Sequence, residues 1–316
     1  MKTAEKLDQI IKEEYENMNG MLVVQKGNII FEKYYNDYGP NDTFHVASVT
    51  KTIISALIGI CIDKGYIKSV DQRVIEFFPE YNVHSSEITV GHLLTMTAPH
   101  PFVDWQESLE ELCTQKDWIE YTLNRIGQGG EIGSFKYSSA GAHLLSAIIM
   151  SVTGKNTREF ANEYLFQPLG MREIPNYNMK AFGFDDLFGK DVKGWVHDPN
   201  GISTGGWGLT LTVKDMAKFG QLYLNEGTHN GKQILSTPWI KESTTMNQNQ
   251  YGYLWWLREE AGIFSYCAMG DGGNVICCIP KRDLVVVIAS EIIPSARDRW
   301  ELIVKYILPY IQNNEI

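Results

Sequence analysis

Two serine patterns in this 316-residue sequence could support nucleophilic chemistry. The first is Ser48-Val49-Thr50-Lys51, at the start of a helix-like apolar run. Residues three apart share a helix face, so the Lys51 amine can reach the Ser48 hydroxyl. A serine hydroxyl attacks a carbonyl only once a base takes its proton, and a lysine can do so where burial favours its neutral form. A helix N-terminus adds positive partial charge beside a developing oxyanion. Alone the pattern is weak: about one such match arises by chance in a chain this long, and Ser is a favoured N-cap. The second pattern is Gly201-Ile202-Ser203-Thr204-Gly205, a G-x-S-x-G elbow with Asp215 and His229 downstream in the matching order. That elbow needs a strand before it and a helix after it. Here His197-Asp198-Pro199-Asn200 precedes, Gly205-Gly206-Trp207-Gly208 follows, and His229 sits on a Gly- and Asn-rich turn. Context therefore favours Ser48.

Ser48 also has suitable company. Phe135-Lys136-Tyr137-Ser138-Ser139 leads into a helix and supplies a tyrosine with a small polar residue two positions on. A tyrosine beside a lysine can share general-base work, because each polarises the other's proton. Acylation by such a pair should rise with pH through one apparent pKa. Gly270-Asp271-Gly272-Gly273-Asn274 opens a strand, where glycines let a substrate lie against the backbone and an N–H point at an oxyanion. The same run also reads as a plain hairpin turn. Of the tryptophans Trp105, Trp195, Trp207, Trp255 and Trp256, most suit core packing. Trp207, flanked by glycines, is the candidate for substrate contact. His45 and His197 read as structural. Without an H-x-x-x-H spacing, no metal is expected, and no cofactor either.

The elements that must position these groups are of two kinds. Residues 1–18 carry an amphipathic helix ending at Asn19-Gly20, followed by a hairpin of Met21–Gln25 and Ile29–Tyr35. Helical periodicity returns at Ser48–Gly65, Gly141–Thr153, Thr157–Leu165 and Val213–Asn225, while Pro175–Gly208 reads as long loops. Four β-rich runs then follow, Tyr251–Leu257, Ile263–Met269, Asn274–Ile279 and Leu284–Ala289, before a closing helix at Ser295–Gln312. The expected fold is α+β, a mainly antiparallel sheet formed by both termini and flanked by helices. Residues 1–45 and 205–316 would build the sheet domain. Residues 46–204 would form a helical, loop-rich insertion, with the site at the junction.

With 28 Lys+Arg against 38 Asp+Glu the formal charge is −10, which disfavours nucleic acid or an anionic membrane as partner. The longest apolar tract, Ile53–Ile62, is about half of the ~20 residues that a membrane span needs. The N-terminus lacks a signal-like apolar core, and the five cysteines show no ligand spacing, so buried reduced thiols and a cytoplasmic location are expected. Nothing in the pattern fixes an oligomeric state.

Taken in order, Ser48-Val49-Thr50-Lys51, Tyr137-Ser138-Ser139 and the Gly-rich strand start resemble the serine β-lactamase and penicillin-binding-protein superfamily. The similarity is greatest to the class C-like branch of esterases, amidases and D-aminopeptidases. Residues 44–65, 166–171, 201–227 and 251–256 resemble it too, the last two stretches being similar to the 6-aminohexanoate-dimer hydrolase type. The resemblance covers nearly the whole chain. It implies a β-lactamase/transpeptidase-like fold, Ser48 as the acylated nucleophile, Lys51 as its proton acceptor and Tyr137 as second base and later acid. The oxyanion hole would be the N–H groups of Ser48 and Asp271, with Gly270, Gly272, Ser139 and Trp207 around the substrate. Two departures matter. Ser139 stands where relatives often have Asn. Asp271 stands where penicillin-recognising members carry a Lys or His that holds a carboxylate, and an acidic group there would repel one. The expected substrate is therefore a small ester or amide with a neutral or cationic acyl group, hydrolysed through an acyl-enzyme, with little β-lactamase activity. A D,D-peptidase or penicillin-binding activity, and a catalytically silent binding module, are the alternatives.

Overall fold

A computed structural model of the protein describes residues 3–81, 86–101 and 109–312. Trp105 and part of the expected pocket loop lie outside these residues. The architecture is mixed α/β around a six-stranded antiparallel sheet. An N-terminal helix, α1 (Thr3–Glu14), precedes strands β1 (Met18–Gln25) and β2 (Asn28–Tyr34). The other four strands come from the far end of the chain: β3 (Trp256–Glu260), β4 (Ile263–Gly270), β5 (Asn274–Ile279) and β6 (Leu284–Ser290). The spatial order is β2-β1-β6-β5-β4-β3, so β1 pairs with β6 and the two chain ends share one sheet.

Alternation along the strands divides the core in two. Leu22, Val24, Val285, Val287, Ile276 and Ala268 face one side, where α2 (Val49–Asp63) and the helix Val213–Leu224 pack. Val23, Val286, Ile288, Val275 and Cys277 face the other, covered by Leu7 and Ile11 of α1 and by Ile303 and Ile307 near the C-terminus. Every residue of α2 from Val49 to Cys61 is buried, which explains its nearly continuous apolar sequence. α3 (Ser139–Thr153) lies beside α2. The Ser138 side chain accepts from the Gly141 N–H at its start, and Gly154 ends it in the left-handed region. No described helix is long and apolar enough to cross a membrane.

Three boundaries differ from the sequence reading. Asn19-Gly20 does not end a helix but lies inside β1: a Cβ on Gly20 would come within 2.8 Å of Val213, so glycine serves a close approach. The run Tyr251–Leu257 is not one strand. Leu254 takes φ 61°, and Gly252 passes so near Ser243 that a Cβ would meet its carbonyl at 2.0 Å. Tyr251 and Trp255 therefore turn into the core, and the strand begins at Trp256. The closing helix starts at Arg299, where the Asp298 carboxylate accepts the Trp300 N–H, because Ser295 adopts φ 58°.

Candidate active site

The segment before α2 is held on both sides. Phe44 and His45 pair with Leu211 and Thr210, and the buried His45 ring accepts the Ala47 N–H on Nδ1 at 3.1 Å. Its other nitrogen, Nε2, then carries the proton and donates to the Leu187 carbonyl at 3.0 Å. Burial pushes His45 down to about 4, so the ring is neutral at physiological pH. Ala47 takes φ 47°, a strained value for a residue with a Cβ, and the chain turns sharply there into Ser48. Ser48 occupies the N-cap position of α2, yet its side chain makes no capping bond. Its half-buried hydroxyl is left to another partner.

That partner is Lys51. Its Nζ donates to Ser48 Oγ at 3.0 Å, to Ser139 Oγ at 3.0 Å and to the Gly206 carbonyl at 2.8 Å. The side chain is 1% exposed, and these three oxygens surround its amine. The helical spacing supplies the first contact, the N-terminus of α3 the second, and a loop the third. A Cβ on Gly206 would lie 2.9 Å from Ser139, so glycine lets this loop lie flat on α3.

Tyr137 is extended just before α3. Its carbonyl bonds His100 Nε2 at 3.1 Å, and the Ser138 N–H points to Met96 Sδ. The ring stacks on Trp256 (5.9 Å between centroids, 19°) and meets Tyr251 edge-on, while Lys51 Nζ lies 4.7 Å from its centre. Burial, with Tyr137 as the lesser cause, raises Tyr251 well above an ordinary phenol, so Tyr251 is a neutral wall.

β4 closes the site. β3 stops pairing at Cys267, so the last residues of β4 run on beyond it. A Cβ on Gly270 would sit 2.3 Å from the Val46 carbonyl and 3.1 Å from the Ser48 nitrogen, so this glycine abuts the nucleophile's backbone. Residues on the Ser48 side of the strand alternate back to Ala268, which is buried. Asp271 is exposed and lines a groove with Met269, Gly270, Ile293 and Arg297, beside the C-terminal helix. Gly272 likewise opens backwards, since a Cβ on it would meet the Glu291 carbonyl at 2.3 Å.

Trp207 does not offer a free face. It is 2% exposed and stacks between Trp118 and Phe188, so it packs beneath the site instead of lining an open pocket. Ser203 is buried with its hydroxyl donating to Asn156 Oδ1 at 2.6 Å, and Asp215 is bound to Thr212, so the elbow has no catalytic partners in place. A buried pair escaped the sequence reading altogether: His143 Nε2 lies 3.1 Å from Asp198 Oδ2, both fully buried. The other oxygen of Asp198 accepts the Asn200 and Ile202 N–H groups, and His143 Nδ1 faces the Gly205 N–H at 3.4 Å. The pair folds the loop that carries the Gly206 carbonyl to Lys51. Among the described residues no cluster could hold a metal.

A sheet built from both chain ends, with a serine–lysine pair at the N-terminus of a buried helix beside it, defines a class of serine-centred α/β proteins. The beta-lactamase family description matches residues 7–305, and the chain belongs to that family. A 6-aminohexanoate-dimer hydrolase from Paenarthrobacter ureafaciens is 23% identical over 305 residues, covering 86% of this chain and 72% of its own. An octameric penicillin-binding protein homologue from Pyrococcus abyssi superposes with a TM-score of 0.76 at 20% identity, over 98% of this chain and 77% of that one. A penicillin-binding protein from Bacillus halodurans gives 0.70 at 18% identity, over 96% and 98%.

Proposed function

We propose that this protein is a serine hydrolase of small esters or amides that works through an acyl-enzyme on Ser48. The observation that carries the reading is the Lys51 amine, buried and shared at 3.0 Å between Ser48 Oγ and Ser139 Oγ. Ser48 Oγ attacks the substrate carbonyl carbon as its proton passes to the Lys51 amine. The resulting oxyanion accepts from the Ser48 and Asp271 N–H groups, each such donor being worth about 10²–10³ in kcat. Collapse expels the alcohol or amine, which takes its proton through Tyr137 and Lys51. Water then attacks the acyl-enzyme carbonyl, giving a proton to the same groups; the Ser48 Oγ–acyl bond breaks, the carboxylic acid leaves, and that proton passes to Ser48 Oγ.

A relative that is named a hydrolase supports this reading. The reading also keeps β-lactamase and D,D-peptidase activity low, because no lysine or histidine lies between Leu257 and Pro280 to hold a carboxylate. The substrate is one without that charge. The test is a fluorophosphonate probe with the adduct mapped by peptide mass spectrometry. Label on Ser48, absent in Ser48→Ala, is the expected result. Label on Ser203 moves the chemistry to the elbow. Folded protein that takes no label is a binding module.

A further inference from the structure

The turn that follows Gly270 is fixed from behind by a residue of the C-terminal helix. Arg299 is 2% exposed, and its guanidinium donates to the Gly272 carbonyl (3.1 Å), Asn17 Oδ1 (2.8 Å), Ser290 Oγ (3.1 Å) and the Arg297 carbonyl (3.0 Å). One side chain thus ties together the segment before β1, the β4–β5 turn, the end of β6 and the stretch that leads into its own helix. Asn17 Nδ2 donates to the same Gly272 carbonyl at 2.7 Å and to the Glu291 carbonyl at 2.8 Å. Asn274 completes the clamp, donating to the Asp271 carbonyl at 2.8 Å and accepting the Ser290 N–H at 3.0 Å.

All four Arg299 bonds go to neutral oxygens. Burying a guanidinium on such terms is costly, and an apolar side chain of similar size would fill the space with less penalty. What an apolar residue lacks is directed donors. The turn itself is shaped around this group: Gly272 and Gly273 take φ 77° and 85°, and a Cβ on Gly273 would lie 2.6 Å from Arg299 Nε. The guanidinium therefore lies against the back of the turn, while Gly270 presses its front against the Ser48 nitrogen. The Asp271 N–H is held between them.

We propose that Arg299, seconded by Asn17, is a positioning residue that fixes the Asp271 N–H as an oxyanion donor. The proposal rests on the acyl-enzyme reading of the site. Oxyanion donors work only within a few tenths of an ångström of their place, and a shift of about 1 Å at a reacting centre can cost about a hundredfold. Arg299 touches no substrate. Lysine is a poor replacement, since one ammonium cannot reach four separate acceptors in the plane of a fork.

The test uses the full chain and the rate of Ser48 phosphonylation by a fluorophosphonate, whose phosphoryl oxygen occupies the oxyanion position. Arg299→Gln and Arg299→Lys are compared with the parent from pH 6 to 10, with folding checked by near-UV circular dichroism. The expected result is a labelling rate lowered at least tenfold in Arg299→Gln, less in Arg299→Lys, with an unchanged pH midpoint because the Lys51 bonds are intact. Asn17→Ala, which keeps the guanidinium but removes the shorter bond to Gly272, is expected to lose at least threefold. It decides the matter if the Arg299 variants do not fold. Rates within twofold of the parent in a folded variant overturn the proposal while leaving the hydrolase reading intact, as does a loss accompanied by a moved pH midpoint. A parent that takes no label on Ser48 overturns both.

Discussion

Ser48 and Lys51 meet because the helix repeat brings residues three apart onto one face, and that is why the pair was legible in the sequence. Tyr137 was legible from its place before a helix. The third Lys51 acceptor was not, because a backbone carbonyl such as that of Gly206 has no residue signature. His45 was read as structural, and the structure makes that role titratable. Its folded pKa is about 4 against an ordinary 6.5, since burial penalises the cation. Well above pH 6.5 neither state binds this proton, and His45 adds no pH dependence to stability. As pH falls from 6.5 the unfolded chain takes up a proton that the folded one refuses, so stability drops until about pH 4, by at most about 3 kcal/mol. His100, also pushed down to about 4 by burial, adds in the same direction. Urea unfolding at pH 7.0 and 4.5 should show a smaller drop in His45→Gln than in the parent. An equal drop would remove His45 from the acid response.

At the scale of elements, strands with clean apolar alternation were readable to within a residue or two: Ile263–Met269, Asn274–Ile279 and Leu284–Ala289 all became strands. Tyr251–Leu257 misled because its aromatic residues have β propensity yet are buried around a left-handed Leu254, a tertiary choice that propensity does not record. The glycines divide in the same way. Gly65 follows a helix, as the end of the apolar run suggested, whereas Gly20 and Gly270 are required by neighbours distant in sequence. Gly270→Ala tests the closest of these approaches. The new methyl would overlap the Val46 carbonyl and must push β4 away from the start of α2. The fold has other contacts to spare, so a moderate loss of stability, about 1–3 kcal/mol, is expected beside at least a tenfold fall in Ser48 labelling. Thermal melting and labelling rate measured on one preparation check this, and unchanged labelling would show that β4 does not set the geometry at Ser48.

Across the whole molecule, the sheet separates two apolar layers, and all five cysteines are free and buried within the packed structure. Composition had suggested reduced thiols without saying where they lie. The structure places Cys61 on α2, Cys113 in the aromatic cluster around Trp118, and Cys267, Cys277 and Cys278 in the sheet. Burial pushes Cys61 and Cys113 up to about 12 and raises Cys278 well above an ordinary thiol. Cys277 is raised too, first by the neighbouring Cys267 and then by burial. A thiolate is the reactive form, so these groups are protected both by protonation and by packing. Native protein should therefore resist iodoacetamide for hours at pH 8. Unfolding in guanidinium chloride should release five alkylation sites, counted by intact mass. Because the proposed nucleophile is an oxygen, alkylation of the native protein should leave Ser48 labelling untouched. Rapid loss of labelling together with one native thiol adduct would place a cysteine within reach of the site and contradict the packing of α2 and β4 around Ser48.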